Sequence, residues 1–285
     1  MLPLSAPPEV TVRNMTQAEV VNLAVPWAEA EGWNPGPHDG AAFFAADPAG
    51  FFVAEREGEA LGCISAVNYG QTYCFLGFFL VRPEVRGQGI GFALSQAALA
   101  HAGGRVMGLD GVVAQQDNYR MAGFELAFKS LRYARPGGGA NPGGMVELAS
   151  LPWDQVHAYD AAHFPAPRPA FLRAWLAYPG ATALGMLSGH ELAGYGVLRP
   201  CAQGYKIGPL FAAGPGRAMT LYQALAARSP GATVFLDVPQ NNPHAVALAQ
   251  GLGMEPVFET ARMYKNGRPA WPIEEIFGIT SFELG

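Results

Sequence analysis

The stretch VRPEVRGQGIGFAL, residues 81–94, decides how the chain is read. The apolar run FLGFFLV leads into it, and FALSQAALAHA follows as a helix. Between them stand Arg86 and three glycines at alternate positions, Gly87, Gly89 and Gly91. A helix start carries unpaired N–H groups and a partial positive charge. Glycines let successive N–H groups converge on an anion. Strand, glycine turn and helix together therefore predict a phosphate or pyrophosphate site. A Walker A loop is excluded, because no GxxxxGK[ST] is present. A dinucleotide turn fits poorly: Phe92 stands where its third small residue belongs, and Pro83 and the residues after it separate the strand from Gly87. Asp110, about twenty residues on, is where a ribose-binding acid would stand, so that rival stays open beside a purely structural turn.

Working outward, the 285 residues suffice for one large domain or two ordinary ones. Half of the residues are hydrophobic and 14% are charged, so a sizeable core is expected. The 36 glycines and 24 prolines punctuate apolar segments and read as turns. A net charge of −5 with no basic cluster argues against nucleic acid as a partner. Three scattered cysteines, Cys63, Cys74 and Cys201, fit a reducing cytoplasm better than a disulfide framework. The opening MLPLSAPPEV has no signal-peptide pattern, and no run is long enough to span a membrane. The six histidines form no HxxxH or HExxH, so no metal is expected.

ARPGGGANPGG, residues 134–144, holds no large apolar side chain and reads as a linker. The halves on either side look alike. FFVAEREGEALGCISAV is a hairpin about Glu57-Gly58, and ATALGMLSGHELAGYGVL repeats it about Ser188-Gly189. Each is followed by a strand, an amphipathic helix, a short strand and a second helix. Gly123 precedes Arg132 by nine residues, as Gly253 precedes Arg262. This predicts a duplicated α/β unit: residues 1–136, a linker over 137–144, and residues 145–285. The second copy reads GPLFAAGPGRAMTLY where the first has its glycine turn, and Pro215 removes an N–H from any nest there. One phosphate site per chain is expected, in the first copy. In DVPQNNPHAV, Asp237, Asn241 and Asn242 mark a strand-to-helix turn that an Asn caps.

Arg86-x-x-Gly89-x-Gly91 after a strand ending in Val-x-Pro resembles the acyl-CoA motif of the GNAT (GCN5-related N-acetyltransferase) family. QQDNYRMAGFELAF, with a Tyr shortly before Gly-Phe, resembles the family's later motif, and the likeness covers most of residues 10–133. The two halves together are similar to a bacterial tandem group in which EGWNPG, GLDGV, NYRMAGF and a closing TSFELG recur. The resemblance implies two tandem GNAT-like domains, each a mixed, mostly antiparallel splayed sheet flanked by helices, the second a degenerate accessory copy.

It also implies an N-acetyltransferase that uses acetyl-CoA as co-substrate and a small-molecule amine as acceptor, by direct attack. Pantetheine would bond to the backbone of Phe79, Leu80 and Val81, and pyrophosphate to the N–H groups of Arg86, Gly87, Gln88, Gly89, Ile90 and Gly91. Tyr119 matches the family's acid position, although the helix before it looks short and Asn118 is not a clean equivalent of the usual Asn. Glu31, in AEAEGWNPG, is the candidate base, with Asp110 as the alternative. Trp33 and Asp110 are the candidate acceptor-binding residues, and Trp27 could wall the same pocket. A non-catalytic acyl-CoA sensor and a mycothiol synthase-like tandem acyltransferase are the competing functions. The oligomeric state is not legible.

Overall fold

Alternating apolar residues place the first strands. β1 (Thr11–Asn14), β2 (Phe51–Arg56), β3 (Glu59–Tyr69) and β4 (Tyr73–Val81) form an antiparallel run in the computed structural model, which describes residues 9–285. Glu57 and Gly58 take φ of +51° and +80°, a two-residue turn whose twist matches the strands it joins. Helices α1 (Gln17–Glu19), α2 (Val25–Ala30) and α3 (Asp39–Ala46) lie between β1 and β2, and a capping box of Thr16 and Glu19 starts the first. After β4 the chain climbs through α4 (Ile90–Ala102) and returns as β5 (Val106–Val112), parallel to β4. Then come α5 (Gln116–Met121) and β6 (Glu125–Pro136).

The second half repeats this order. After β7 (Val146–Glu147), α6 (Trp153–Ala162) and α7 (Pro169–Leu176) come the hairpin β8 (Thr182–Ser188) and β9 (Glu191–Pro200), then β10 (Tyr205–Ala212), α8 (Pro215–Ala226), β11 (Thr233–Pro239), α9 (Pro243–Gly251) and β12 (Glu255–Lys265). The loop of that hairpin is Gly189-His190, one residue later than the sequence suggests, because Ser188 pairs with Glu191. A short β13 (Ile276–Gly278) follows. Asn242 caps α9 as expected, accepting from the N–H groups of His244 and Ala245.

The duplicated α/β plan holds, but the halves are not separate beads. β6 does not pair with β5 of its own half. The sheet runs β4-β5-β12-β6-β11-β10, so each half gives its last strand to the other. β12 pairs with β5 from Thr260↔Val112 to Lys265↔Met107, and β6 pairs with β11 from Thr233↔Pro136 to Pro239↔Ser130. Among the described residues the result is one 13-stranded sheet, mostly antiparallel, with helices on its faces. The division drawn at residues 137–144 is therefore a change of chain direction between two interlocked sheets. Even the linker is docked: Gly137 donates to Ala232 O and Gly138 to Ala226 O, each at 2.7 Å.

Two buried ion pairs close the exchange. Arg132 on β6 makes a bidentate contact with Asp237 on β11, at 2.6 and 2.8 Å. Arg262 on β12 does the same with Asp110 on β5, at 2.9 and 2.7 Å. These are the two arginines whose spacing from a glycine matches in the sequence. A bidentate fork fixes both distance and orientation, so the pairs set the register of each exchanged strand. One apolar core joins the halves on the sheet face away from α4, where Phe43, Phe75 and Phe78 pack with Phe171, Trp175 and Leu284. Separate apolar clusters lie under α4 and under α8. No helix among the described residues is long and apolar enough to cross a membrane.

Candidate active site

β4 and β5 pair only from Tyr73↔Val106 to Leu76↔Leu109. Beyond Leu76 a bulge turns β4 away: the register with β3 jumps between Ser65↔Gly77 and Cys63↔Leu80. Phe78 sits there with φ of +46°, a strained value for a bulky residue, and its carbonyl accepts a hydrogen bond from the Cys63 thiol at 3.3 Å. The bulge also sorts side chains. Phe78 and Leu80 face the core shared by the halves, while Phe79 and Val81 face the α4 side. Among the described residues no strand pairs with the edge of Phe79–Val81 that faces β5, which leaves backbone there for an extended ligand.

The glycine turn lies just beyond. Gly87 and Gly89 have φ of +79° and +85°, and Gly89 forms the left-handed N-cap of α4 without any side-chain cap. The N–H groups of the first turn of α4 are thus left for an anion. A side chain at Gly91 would meet the Phe79 ring at 3.2 Å, so that glycine lets the strand and the helix approach. Arg86 folds back: Nε donates to Val81 O at 2.8 Å, and a terminal nitrogen meets Glu31 at 2.9 Å. Gln88 donates from its side chain to Glu84 O at 3.4 Å. The structure thus brings Phe79, Leu80, Val81 and the whole run Arg86–Gly91 to one mouth between strand and helix.

Tyr119 lies at the end of β5. Its ring packs on Gly111, where an added Cβ would stand 2.9 Å from it, and meets Phe124 edge-on at 6.3 Å. Phe79, Val81 and Tyr119 border the same apolar cluster beneath α4. Burial pushes the Tyr119 phenol up to about 12, so it keeps its proton at neutral pH.

Four other sequence-derived candidates sit differently. Asp110 is no acceptor contact and no base: its side chain has 0% exposure and both oxygens are taken by Arg262. Glu31 reaches the mouth, but it does so by pairing with Arg86, with both side chains about half exposed. The contact ties the loop after α2 to the glycine turn. Trp33 is half-buried against the shared core, and its carbonyl accepts from Arg132 at 2.7 Å. Its loop docks onto the second half, where Asn34 exchanges hydrogen bonds with Gln203 and Ala202 donates to Pro35 O. Trp27 likewise packs on the core. That anchored loop and Arg132 line a groove of about 260 Å³ between the halves, together with Gln203 and Phe258.

The second half builds the same split and then fills it. β10 pairs with β11 only from Tyr205↔Val234 to Ile207↔Leu236. Where β10 departs, β13 pairs with its free edge, at Leu210↔Gly278 and Phe211↔Ile276. Pro215 opens α8, so the helix start has one N–H fewer. The sequence shows the loss of the glycine turn. It does not show β13, which is too short and too far along the chain to be matched with β10 by pattern.

Two family descriptions match this chain. The acetyltransferase (GNAT) family covers residues 15–124, and an acetyltransferase (GNAT) domain covers residues 156–278. A holothin acyltransferase from a Pseudoalteromonas species is 32% identical over 265 residues, covering 91% of this chain and 89% of its own length. The chain belongs to the GNAT acyltransferase family. A putative acetyltransferase from Pyrococcus horikoshii has the same fold over 99% of this chain and 98% of its own, at a TM-score of 0.84 and 20% identity. A tandem GNAT protein from the clavulanic acid pathway matches at a TM-score of 0.62 and 16% identity, over 92% of this chain and 100% of its own. The tandem arrangement and the acyltransferase class are therefore those of this chain.

Proposed function

We propose that the chain transfers an acetyl group from acetyl-CoA to the primary amine of a small molecule, at the split between β4 and β5. The observation that carries this reading is the conjunction of an unpaired strand edge at Phe79–Val81 with an uncapped glycine turn at the start of α4. The edge suits the amide-rich pantetheine arm, and the turn suits the pyrophosphate. Acetyl-CoA supplies an activated acyl group as a thioester. The chain supplies position and electrostatics. The backbone around Leu80 is the candidate donor to the oxygen that gains charge. Tyr119, held protonated by burial, is the candidate donor to the departing sulfur. Glu31 and Arg86 tie the loop after α2 to the turn and so fix one wall of the mouth.

The acceptor enters from the other half. The relative named for holothin supports a small-molecule acceptor here, since it aligns along nearly the whole chain. The test is release of free thiol from acetyl-CoA in the presence of single amines, with the acetylated product identified by mass. Tight acetyl-CoA binding with no transfer to any amine would favour the sensing module instead.

A further inference from the structure

Where the halves meet, buried charges are paired across the exchange: Arg132 with Asp237, Arg262 with Asp110, and Arg199 with Asp39 at 3.2 Å. Two buried ionisable groups there stand outside these pairs. Lys206 donates to Asn34 O at 3.2 Å, and burial with Arg132 nearby pushes it toward the neutral amine. Glu283 has no such arrangement. It is 1% exposed, and among the described residues neither carboxylate oxygen has a hydrogen-bond partner. Its charge is felt by Arg132 and Arg199, but also by Asp39 and Asp110, carboxylates already paired with Arg199 and Arg262. A carboxylate buried without donors is among the most unfavourable groups a fold can keep. Such a group calls for an explanation beyond stability.

Its place supplies one. After β13 the chain crosses from the second half to the first. Ile279 donates to Asp237 O at 2.9 Å, and Tyr69 Oη donates to Leu284 O at 3.0 Å. The Glu283 carbonyl lies directly against Gly77, where any side chain would collide with it. Gly77 is the first residue of β4 beyond its pairing with β5, just before the bulge. By alternation with Tyr73 and Phe75, which lie in the core shared by the halves, it faces away from α4. The Ser65 hydroxyl opposite Gly77 is also buried and unpartnered. The donor turn is on the α4 side, so an acyl group lying in the split is open to attack from the face that Glu283 occupies. Two residues that line the groove between the halves pack on the neighbour of Glu283. Arg132 and Phe258 cover the ring of Phe282, at 4.7 and 6.0 Å, and Phe282 is the residue beside Glu283.

We infer that the Glu283 carboxylate is the docking point for the acceptor's ammonium group, so that the preferred acceptor is a small amine that is cationic at neutral pH. The inference rests on the amine acyltransferase reading above and adds which side chain recognises the amine. An incoming ammonium supplies the charge-assisted donors that the fold withholds. The variant Glu283→Gln keeps the shape and loses the charge.

The test uses a panel of benzylamine, tyramine, putrescine and aniline, the first three cationic at neutral pH and aniline neutral. For each amine that the wild-type chain acetylates, kcat and KM are compared with those of Glu283→Gln and Glu283→Asp, alongside the acetyl-CoA Kd and the Tm. In Glu283→Gln, kcat/KM for a cationic amine is expected to fall by about 10- to 100-fold, chiefly through KM, as loss of one charged hydrogen bond implies. The fall for aniline is expected to be several-fold smaller, or aniline is not used at all. The acetyl-CoA Kd should stay within about twofold, the Tm should not fall because an unpaired buried charge has been removed, and Glu283→Asp should recover part of the loss. Unchanged acceptor KM on a cationic amine overturns the inference while leaving the acyltransferase reading intact. So does a lowered Tm with proportionate loss on every amine. A wild-type chain that acetylates nothing in the panel defeats the amine-acceptor reading, and this inference with it.

Discussion

The first half's split and the second half's split differ in what lies along their open edges. In both, a central strand pairs with its parallel neighbour for three or four residues and then departs. In the first half no strand among the described residues pairs with the departing edge, Phe79–Val81, on that side, and an uncapped glycine turn starts the helix beyond it. In the second, β13 is laid along the departing edge and a proline opens the helix. The split strand pair is thus a property of the duplicated fold. Ligand capacity depends on whether the polar edge is left unpaired or is satisfied by the chain itself. A duplicated unit can turn one copy into scaffold by supplying its own strand where a ligand would otherwise bond.

The largest effect is expected from separating the halves. Residues 1–144 expressed alone lack β12, which lies between β5 and β6, and leave a long sheet edge bare. Far-ultraviolet circular dichroism and dispersion of amide resonances should show no native fold, and binding of acetyl-CoA should be absent. A folded, binding fragment would show that β6 can close onto β5 and that the exchange is optional.

Next comes Arg262→Met. Removing one member of a buried pair strands the other, here Asp110, whose side chain has no exposed surface. A loss of about 3–5 kcal/mol in urea unfolding is expected. The double change Arg262→Met with Asp110→Leu should recover much of it, since an apolar pair of similar size can replace a buried ion pair. Failure to recover would mean that the pair specifies strand register as well as holding it.

The glycine turns can be set against each other directly. Gly89→Asp places a like charge and a strained side chain, at φ of +85°, in the anion nest. Acetyl-CoA affinity should fall by about 100-fold or more, the worth of roughly 3 kcal/mol. Gly216→Asp, at an open position in the first turn of α8, should leave affinity unchanged within twofold. Equal losses from the two changes would put a donor site in each half.

Tyr119→Phe should leave the Tm and acetyl-CoA affinity alone, because the ring contacts with Gly111 and Phe124 persist. Its kcat should fall by about 10- to 1000-fold, somewhat under the usual range for an acid because water substitutes in part. The phenol's raised value, about 12, fixes the pH signature: this proton is held through the neutral range and is lost only well above pH 10. The wild-type rate should therefore show no alkaline fall below about pH 10 that the Phe variant lacks. A turnover equal to wild type would reduce Tyr119 to packing.

The smallest expected effect is the most pointed. Pro215→Ala restores an N–H to the start of α8 but leaves β13 in place. Titration calorimetry should still give one acetyl-CoA per chain. A second site would mean that the proline, and not the strand, closes the second half.

Much of this was legible in the sequence because it is local. The strand, glycine turn and helix at residues 81–94 follow from apolar patterning and from the conformations open to glycine. The duplication follows from matching element order and from the spacing of Gly123 to Arg132 and Gly253 to Arg262. Asp110 was misassigned for a physical reason: an acid at a strand end looks alike whether it faces a ligand or an arginine 152 residues away. Glu31, the candidate base, meets a cation of the glycine turn, Arg86, a contact between residues 55 apart that no local pattern shows. Glu283 lies in TSFELG, a segment whose likeness to the tandem group assigns no role to any one of its residues. It is one acid in a short closing segment, and only its burial without a donor sets it apart.

By itself the sequence determined the elements, their repetition and the glycine turn, since each of these rests on side-chain periodicity and backbone preference within a few residues. Tertiary structure decided which strand lies beside which, which of the two splits stays unpaired, and which acid meets which arginine. The physical reason is that strands associate through backbone N–H and C=O groups that are the same in every residue but proline. β6 and β12 could each satisfy its own half's sheet or its neighbour's. That choice is fixed by what the whole chain buries, in the paired charges of Arg132 and Arg262 and in the aromatic core between the halves.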